Sequence, residues 1–414
     1  MRVRIHRGAH EIGGNCIELE AAGRRLILDL GRPLTAASDA HVPLPAITGL
    51  EGNDPSLLGI VVSHPHQDHY GLLPQVAPTV PVFVGEAAER IVNEAAWFSG
   101  TKAVFHATEH LHHLRPLVVG PFRITPYLND HSAYDAYSLL IEAEGRRLFY
   151  TGDIRADGRK AALFDALCAR PPPNIHALLM EGTHVRPATD APSPSMTEHQ
   201  VEDELVALCH RTPGAVLIAY SGQNIDRLVS IHRAALKAGR EFVVDLYGAT
   251  VARATGNPKI PQPGHEALRV LVPQRQRVKI LKERCFERIT ALGGSRIFAR
   301  EFKRPGRFVF TLRANVLRDI ERSCDLRGAE VVWSMWKGYL DQVAGNPVRE
   351  FAARNSLPLA CIHASGHASV QDLQRLVQSL APERVVPIHS SATDRFGEFF
   401  PRVELHEDGT WWSA

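Results

Sequence analysis

The chain has 414 residues, 44% hydrophobic and 22% charged, a composition that supports a sizeable buried core and excludes extensive disorder. No apolar run reaches the roughly 20 residues a membrane-spanning helix needs. Met1–Arg7 alternates like a strand and has no apolar signal core, so neither a membrane protein nor a membrane partner is expected. The six cysteines form no Cys-x-x-Cys pair, which argues against a disulfide framework and a cysteine zinc module and points to the cytoplasm. Net charge is only +2 but uneven: residues 251–340 hold 19 Lys and Arg against 8 Asp and Glu, and the rest holds 28 against 37. A basic sector of this kind suits a phosphate-rich partner.

In chain order, apolar and alternating runs predict strands over Cys16–Glu20, Arg25–Leu30, Gly59–Ser63 and Val82–Val84, then a helix over Glu86–Phe98. Strands are expected at Phe122–Tyr127, Ala136–Glu142, Arg147–Tyr150 and Ala177–Met180. From Pro187 to Pro194 the chain turns rich in Pro, Ser, Thr and Asp, which suits a connection. Ser195–Glu198 reads as a capping box opening a helix through Cys209. Strands at Ala215–Ala219, Glu241–Val244, Phe308–Leu312 and Val331–Ser334 then alternate with helices at Asn224–Lys237 and Asn315–Cys324, a rhythm that implies a parallel sheet. Strand Leu359–Ile362, helix Val370–Leu380 and strands Arg384–Ile388 and Val403–Glu407 complete the pattern.

The strongest chemical signal is His64-Pro65-His66-Gln67-Asp68-His69, directly after an apolar strand. Residues i and i+2 of an extended turn project to one side, so His64 and His66 can grip one cation while Asp68 and His69 reach toward a second. Imidazole with carboxylate suits zinc, with manganese as the alternative. His131 and Asp153 each follow a predicted strand, where loops gather a site, and behind the first cluster they read as further ligands. His106, His110, His112 and His113 lack an evident carboxylate partner and read as a surface connection. Trp333, Trp336 and Tyr339 could stack bases but are read as packing residues, and Trp411 and Trp412 as an anchor.

In this order and context, Asp29, His64–His69, His131 and Asp153 resemble the metallo-β-lactamase superfamily. Glu181 at a strand end, His363-Ala364-Ser365-Gly366-His367 and Pro387-Ile388-His389 resemble motifs A, B and C of its β-CASP nucleases, specifically the RNase J-like branch. Glu11-Ile12-Gly13-Gly14-Asn15 is also similar to that branch. The resemblance implies an α/β fold: an αββα sandwich with an inserted β-CASP domain on a mainly parallel sheet. Its expected boundaries are 1–185 for the first part of the metallo-β-lactamase domain, 186–350 for the insert and 351–414 for the second part. RNase J chains typically carry a further C-terminal domain, and a short form without it is expected here.

The resemblance assigns His64, His66 and His131 to one divalent ion, Asp68, His69 and the motif C residue His389 to a second, and Asp153 to both. Asp29 would support the ligand loop without binding metal. The expected reaction is two-metal hydrolysis of RNA phosphodiesters by a bridging hydroxide, with Asp68, Glu181 and His367 in catalytic roles. Glu181 would hold His367 protonated near the leaving oxygen. His363, Ser365 and Gly366 offer imidazole, hydroxyl and amide donors for a substrate phosphate, and Ser221 precedes a helix whose N-terminus could take another. The DNA-processing β-CASP branch usually has valine at the motif C position, so His389 resembles the RNA-acting branch. The His-x-Ser-Gly-His form resembles enzymes acting 5′ to 3′ on 5′-monophosphate ends, which implies that activity with endonuclease activity alongside. The expected partner is single-stranded RNA, with DNA as the alternative, in a monomer or dimer. Rival readings are a lactone or thioester hydrolase of the same superfamily, a DNA-acting relative and a non-catalytic nucleic-acid binder.

Overall fold

The computed structural model describes residues 1–37, 40–100, 105–186, 196–342 and 345–414. These divide into two units: Met1–Ala96, Thr101–Pro194 and Gly366–Ala414 form the first, Trp97–Gly100 and Ser195–Ser365 the second. Among the described residues no helix is long and apolar enough to cross a membrane.

Two sheets make the first unit. One orders its strands Trp411–Ser413, Arg2–Arg7, Cys16–Ala21, Arg24–Leu28, Leu57–Val61, Val82–Gly85 and Glu109–Leu111. The other runs Val385–Ile388, Ala177–Glu181, Arg146–Tyr150, Tyr137–Ala143, Phe122–Leu128 and Leu117–Val119. Alternation along each strand explains how the layers stack. Leu26 and Leu28 meet Leu139, Ile141, Leu148 and Leu179 in a core between the sheets. Their neighbour Ile27 faces outward with Ile60 and Val62, under Ala88 and Val92 of helix Glu86–Ser99. On the opposite side Leu140, Phe149 and Leu178 pack against Phe164 and Leu167 of helix Ala161–Ala169 and Leu373, Leu376 and Leu380 of helix Val370–Leu380. The result is the expected αββα sandwich.

The second unit is built on seven strands, every pair of them parallel, in the order Arg296–Ile297, Leu268–Leu271, Glu241–Asp245, Phe308–Thr311, Val216–Ala219, Glu330–Trp333 and Leu359–Cys361. One face packs Val216, Ile218, Phe242 and Val244 against helices Glu198–Arg211, Ile225–Lys237 and Leu246–Ala254. The other packs Leu217, Val243, Phe310 and Val331 against helices Leu317–Ser323 and Asn346–Arg354. Buried on both faces, these strands read as continuous apolar runs, as parallel strands do.

Several boundaries differ from expectation. Strand Leu359–Cys361 pairs with Glu330–Trp333 and keeps the chain in the second unit as far as Ser365, past the expected end at 350. The connection over 187–194 lies outside the described residues, as does Ser195. Thr197, not Ser195, caps the following helix: its Oγ1 accepts the Gln200 N–H at 3.1 Å, and its own N–H donates to Gln200 Oε1 at 2.8 Å. Val403–Glu407 is not a strand; only Val403 bridges to Val385. The closing strand is Trp411–Ser413, antiparallel to Arg2–Arg7, with Trp412 buried between the sheets and Trp411 under the guanidinium groups of Arg2 and Arg4.

Candidate active site

Strand Leu57–Val61 delivers the chain to His64 and His66, after which the short helix Gln67–Tyr70, rather than an extended turn, carries Asp68 and His69. Asp29, at the end of strand Arg24–Leu28, holds this segment in place. Asp29 takes up a left-handed backbone (φ 58°) and is fully buried. Its Oδ1 accepts the Ser63 N–H at 2.7 Å, and its Oδ2 accepts from Ser63 Oγ at 2.8 Å, His69 Nδ1 at 2.7 Å and Tyr150 Oη at 2.5 Å. Burial and the adjacent Asp29 push the Tyr150 phenol well above its usual range, so Tyr150 stays a donor.

Like His69, the rings of His64, His131 and His389 are turned by a hydrogen bond at Nδ1 so that Nε2 faces the site, whereas His66 Nδ1 lies 3.2 Å from His131 Nε2. His64 donates from Nδ1 to Ser63 Oγ at 3.0 Å, itself engaged as a donor to Asp29. His131 donates from Nδ1 to the Gly366 carbonyl at 2.5 Å. His389 donates from Nδ1 to Asn15 Oδ1 at 3.1 Å, and its backbone N–H donates to Gly8 O at 2.8 Å. Such partners fix the tautomer of a ligating imidazole.

Asp153, on the loop after strand Arg146–Tyr150, lies at the centre. Its Oδ2 is 3.5 Å from His64 Nε2 and 3.9 Å from His131 Nε2, while its Oδ1 is 3.3 Å from His69 Nε2. Asp68 Oδ2 lies 3.8 Å from His69 Nε2 and 3.9 Å from His389 Nε2. Two sets of convergent ligand atoms result: His64, His66, His131 and Asp153, and Asp68, His69, His389 and Asp153. The Nε2 atoms of His64, His69 and His389 and both carboxylate oxygens of Asp153 are buried without a hydrogen-bond partner. Orphaned atoms of this kind are costly unless something positive sits among them. Their spacings bracket the edge of about 3.4 Å expected for a tetrahedron with bonds near 2.1 Å. The residues therefore fit a divalent cation in each set.

Burial, reinforced by neighbouring imidazoles, drives His64 and His131 well below the usual histidine range and keeps them neutral, the form that ligates. Burial opposes the charge on Asp153, but the surrounding histidines His389 and His69 outweigh it and hold the carboxyl well below its usual range.

Beside Asp153 lies a third grouping with Glu181 and His367. Glu181 ends strand Ala177–Glu181 and accepts the Ile154 N–H at 3.0 Å and the Thr183 N–H at 3.2 Å. His367 Nδ1 stands 3.1 Å from both Glu181 carboxylate oxygens. Burial disfavours the imidazolium, yet the charges of Glu181 and Asp153 prevail and raise His367 to about 9. A charged imidazole whose side chain is 21% exposed, beside two sets of ligand atoms, can deliver a proton.

The candidate phosphate residues are divided between the units. Gly366 opens the return to the first unit and packs so closely that a Cβ there would lie 2.8 Å from Ser132 Oγ. His363 and Ser365 precede it in the second unit. Ser221 is exposed; Asn224, not Ser221, caps helix Ile225–Lys237 by accepting the Arg227 N–H at 2.9 Å. His106 and His110 do have a carboxylate partner: Glu89 lies 3.4 Å from His106 Nδ1 and 2.7 Å from His110 Nε2, on the first unit. Trp333 is core, as expected, whereas Trp336 is 51% exposed. Sequence reasoning gave no role to Asn15, Tyr150 or Asp130, whose Oδ2 accepts the Gly158 N–H at 2.7 Å while its neighbour His131 points into the site.

An αββα sandwich whose strand-end loops share one aspartate between two cation pockets defines a metallohydrolase of the metallo-β-lactamase type. Residues 36–232 match the beta-lactamase superfamily domain, and residues 359–397 match the Zn-dependent metallo-hydrolase RNA specificity domain. Ribonuclease J of Mycobacterium tuberculosis H37Rv is 26% identical over 410 residues, covering 94% of this chain and 69% of that protein. Ribonuclease J 1 of Streptococcus pyogenes is 21% identical over 406 residues, 92% of this chain and 67% of that one. A crystal structure of a protein of unknown function from Enterococcus faecalis V583 superposes with a TM-score of 0.79 over 99% of both chains at 20% identity, and so shares the fold. Residues 36–232 thus match the metallo-β-lactamase superfamily, and the chain as a whole is similar to its β-CASP, ribonuclease J-like branch.

Proposed function

We propose that this protein is a metal-dependent ribonuclease that hydrolyses RNA phosphodiester bonds, acting on single-stranded RNA. The observation that carries the reading is the division of the Asp153 oxygens between two sets of imidazoles, next to the Glu181–His367 pair. The relatives named ribonuclease J and the match to an RNA specificity domain over residues 359–397 support RNA as the substrate. His64, His66 and His131 would hold one cation, Asp68, His69 and His389 the other, and Asp153 both; we take zinc as the metal, with manganese the alternative for this donor set. Bound there, divalent cations supply activation of water near neutral pH and balance phosphoryl charge.

The chain's own residues supply the rest. Asp29 and Asn15 keep His69 and His389 turned toward the site. Glu181 keeps His367 charged, and His367 gives its proton to the departing ribose oxygen. His363, Ser365, Gly366 and Ser221 bind substrate phosphates, with preference for a 5′-monophosphate end, progress from 5′ to 3′ and some internal cleavage. All six cysteines are free, which fits a reducing compartment and a cytoplasmic location.

The test is cleavage of a labelled RNA bearing a 5′-monophosphate or a 5′-triphosphate, with zinc or manganese, beside an Asp68→Ala, His69→Ala double variant. Mononucleotides or ladders from the monophosphate RNA, absent in the variant, are expected. Hydrolysis of a lactone or thioester with intact RNA under every metal would overturn the nuclease reading.

A further inference from the structure

In the second unit the loop Ile362–Ser365, which carries His363 and Ser365, is tied to a single buried ion pair. Arg227, in the first turn of helix Ile225–Lys237, has a fully buried side chain, and Glu198, the first residue of helix Glu198–Arg211, is 1% exposed. Arg227 Nη2 donates to Glu198 Oε1 at 2.8 Å and its Nε donates to Oε2 at 3.3 Å. Ser230 Oγ adds a bond to Glu198 Oε2 at 2.7 Å.

A guanidinium has five N–H donors in a rigid fork, more than one carboxylate can use. The surplus goes to the strand end and the loop. Nη1 donates to Ser334 O at 2.8 Å and Ser334 Oγ at 2.5 Å, and Nη2 donates to the Ala364 carbonyl at 3.2 Å. Ser334 Oγ passes the tie on by donating to Ile362 O at 2.6 Å. Nη1, whose two protons serve Ser334, also reaches His363 Nδ1 at 3.4 Å through a shared proton. Arginine only donates, so this Nδ1 is the accepting nitrogen and the neutral ring carries its proton on Nε2. Three consecutive loop residues are thus held by one charge.

Stability alone does not call for this arrangement. Ile362 and Ala364 already belong to an apolar core with Leu205, Leu228 and Ile231, and a buried ion pair is commonly matched or bettered by apolar side chains of similar volume. What apolar side chains cannot supply is a directional hold on the backbone and one ring nitrogen. We infer that Arg227, paired with Glu198, is a positioning residue that presets this loop for the terminal phosphate of the RNA and fixes His363 as an Nε2–H donor to it. This rests on the 5′-monophosphate reading above.

The experiment measures kcat and KM of the full-length protein on one RNA with a 5′-monophosphate and on the same RNA with a 5′-hydroxyl. The variants are Arg227→Lys and the double variant Arg227→Met, Glu198→Leu. The double variant removes both charges together and keeps the core apolar; Arg227→Lys keeps the charge but cannot fork to Glu198, Ser334 and Ala364 at once. In both, KM for the monophosphate RNA rises about 10-fold, the equivalent of losing one or two charge-assisted bonds. Constants on the hydroxyl RNA and bound-metal content stay within about 2-fold on the same scale of lost bonds. A preference that survives in the variants overturns the positioning role alone, and so does an equal loss of kcat on both substrates. A wild-type protein that cleaves both RNAs equally overturns the 5′-end reading and this inference with it.

Discussion

Asn15 Oδ1 and His389 Nδ1 meet at 3.1 Å although 374 residues separate them in the chain. The bond fixes the His389 tautomer and turns Nε2 toward Asp68, so Asn15 orients a ring proposed to bind the second cation. Asn15→Ala is expected to weaken the second cation about 10- to 100-fold, the usual cost of losing the partner of a ligating histidine. Competitive titration with a metal-sensitive dye reads this directly. Unchanged affinity would remove Asn15 from the site.

Asp153→Asn tests the sharing of one carboxylate. The variant retains two oxygen- or nitrogen-bearing positions but not the charge that both ligand sets face. Elemental analysis is expected to show both cations lost rather than one. Retention of one full equivalent would assign Asp153 to a single set.

Cation binding should stabilise the fold, because the five orphaned atoms of His64, His69, His389 and Asp153 gain partners only then. At a free metal concentration of 100 times Kd the gain per site is about 2.7 kcal/mol. Thermal unfolding with and without chelator is expected to show a clear rise in Tm on adding zinc or manganese. The Asp153→Asn variant should show little.

Gly366→Ala places a methyl group 3.2 Å from His131 Cε1 and 2.8 Å from Ser132 Oγ. The His131 ring or the loop must shift, and a misplacement near 1 Å costs about 100-fold in rate. The expected outcome is a fall of that order in kcat with the unfolding temperature little changed. Activity near wild type would mean that the neighbours yield freely.

Away from the site, Glu18 offers a stability test. Burial opposes its charge, yet hydrogen bonds from His6 and from Arg25, the latter at 2.8 Å, hold its carboxyl below the usual range. A carboxyl lowered on folding stabilises above its unfolded pKa, near 4.3, and that contribution is lost as pH falls through the folded value. Arg25 keeps Asp54 as a partner, so Glu18→Gln should cost about 1.5 kcal/mol at neutral pH, the scale of one hydrogen bond to a charged group. Denaturant titrations should show the gap to wild type closing below about pH 4. A gap independent of pH would place the cost in packing instead.

The sequence disclosed what is local. His64–His69 follow one apolar strand, and the alternation of Leu26, Ile27 and Leu28 separates two cores in three residues. Features set by distant partners were hidden. Strands such as Glu109–Leu111 and Leu117–Val119 are too short to show a period. Leu359–Cys361 looks alike as an edge strand of either unit, so the return boundary could not be placed from its residues. Arg227 reads as one more basic residue on an amphipathic helix, and nothing in its neighbours announces that it is wholly buried. Glu89 and His110 lie 21 positions apart, which concealed their pairing.

The junction of Gly8 and Asn15 with His389 also bears on the order in which the molecule is made. A ribosome releases Gly8 and Asn15 first and the histidine 374 positions after Asn15. Gly366, whose carbonyl orients His131, also follows its partner late, so at some 5–20 residues per second both ligand sets wait many seconds for the C-terminal segment. Until Gly366 and His389 have been joined, neither set of ligand atoms has all its partners.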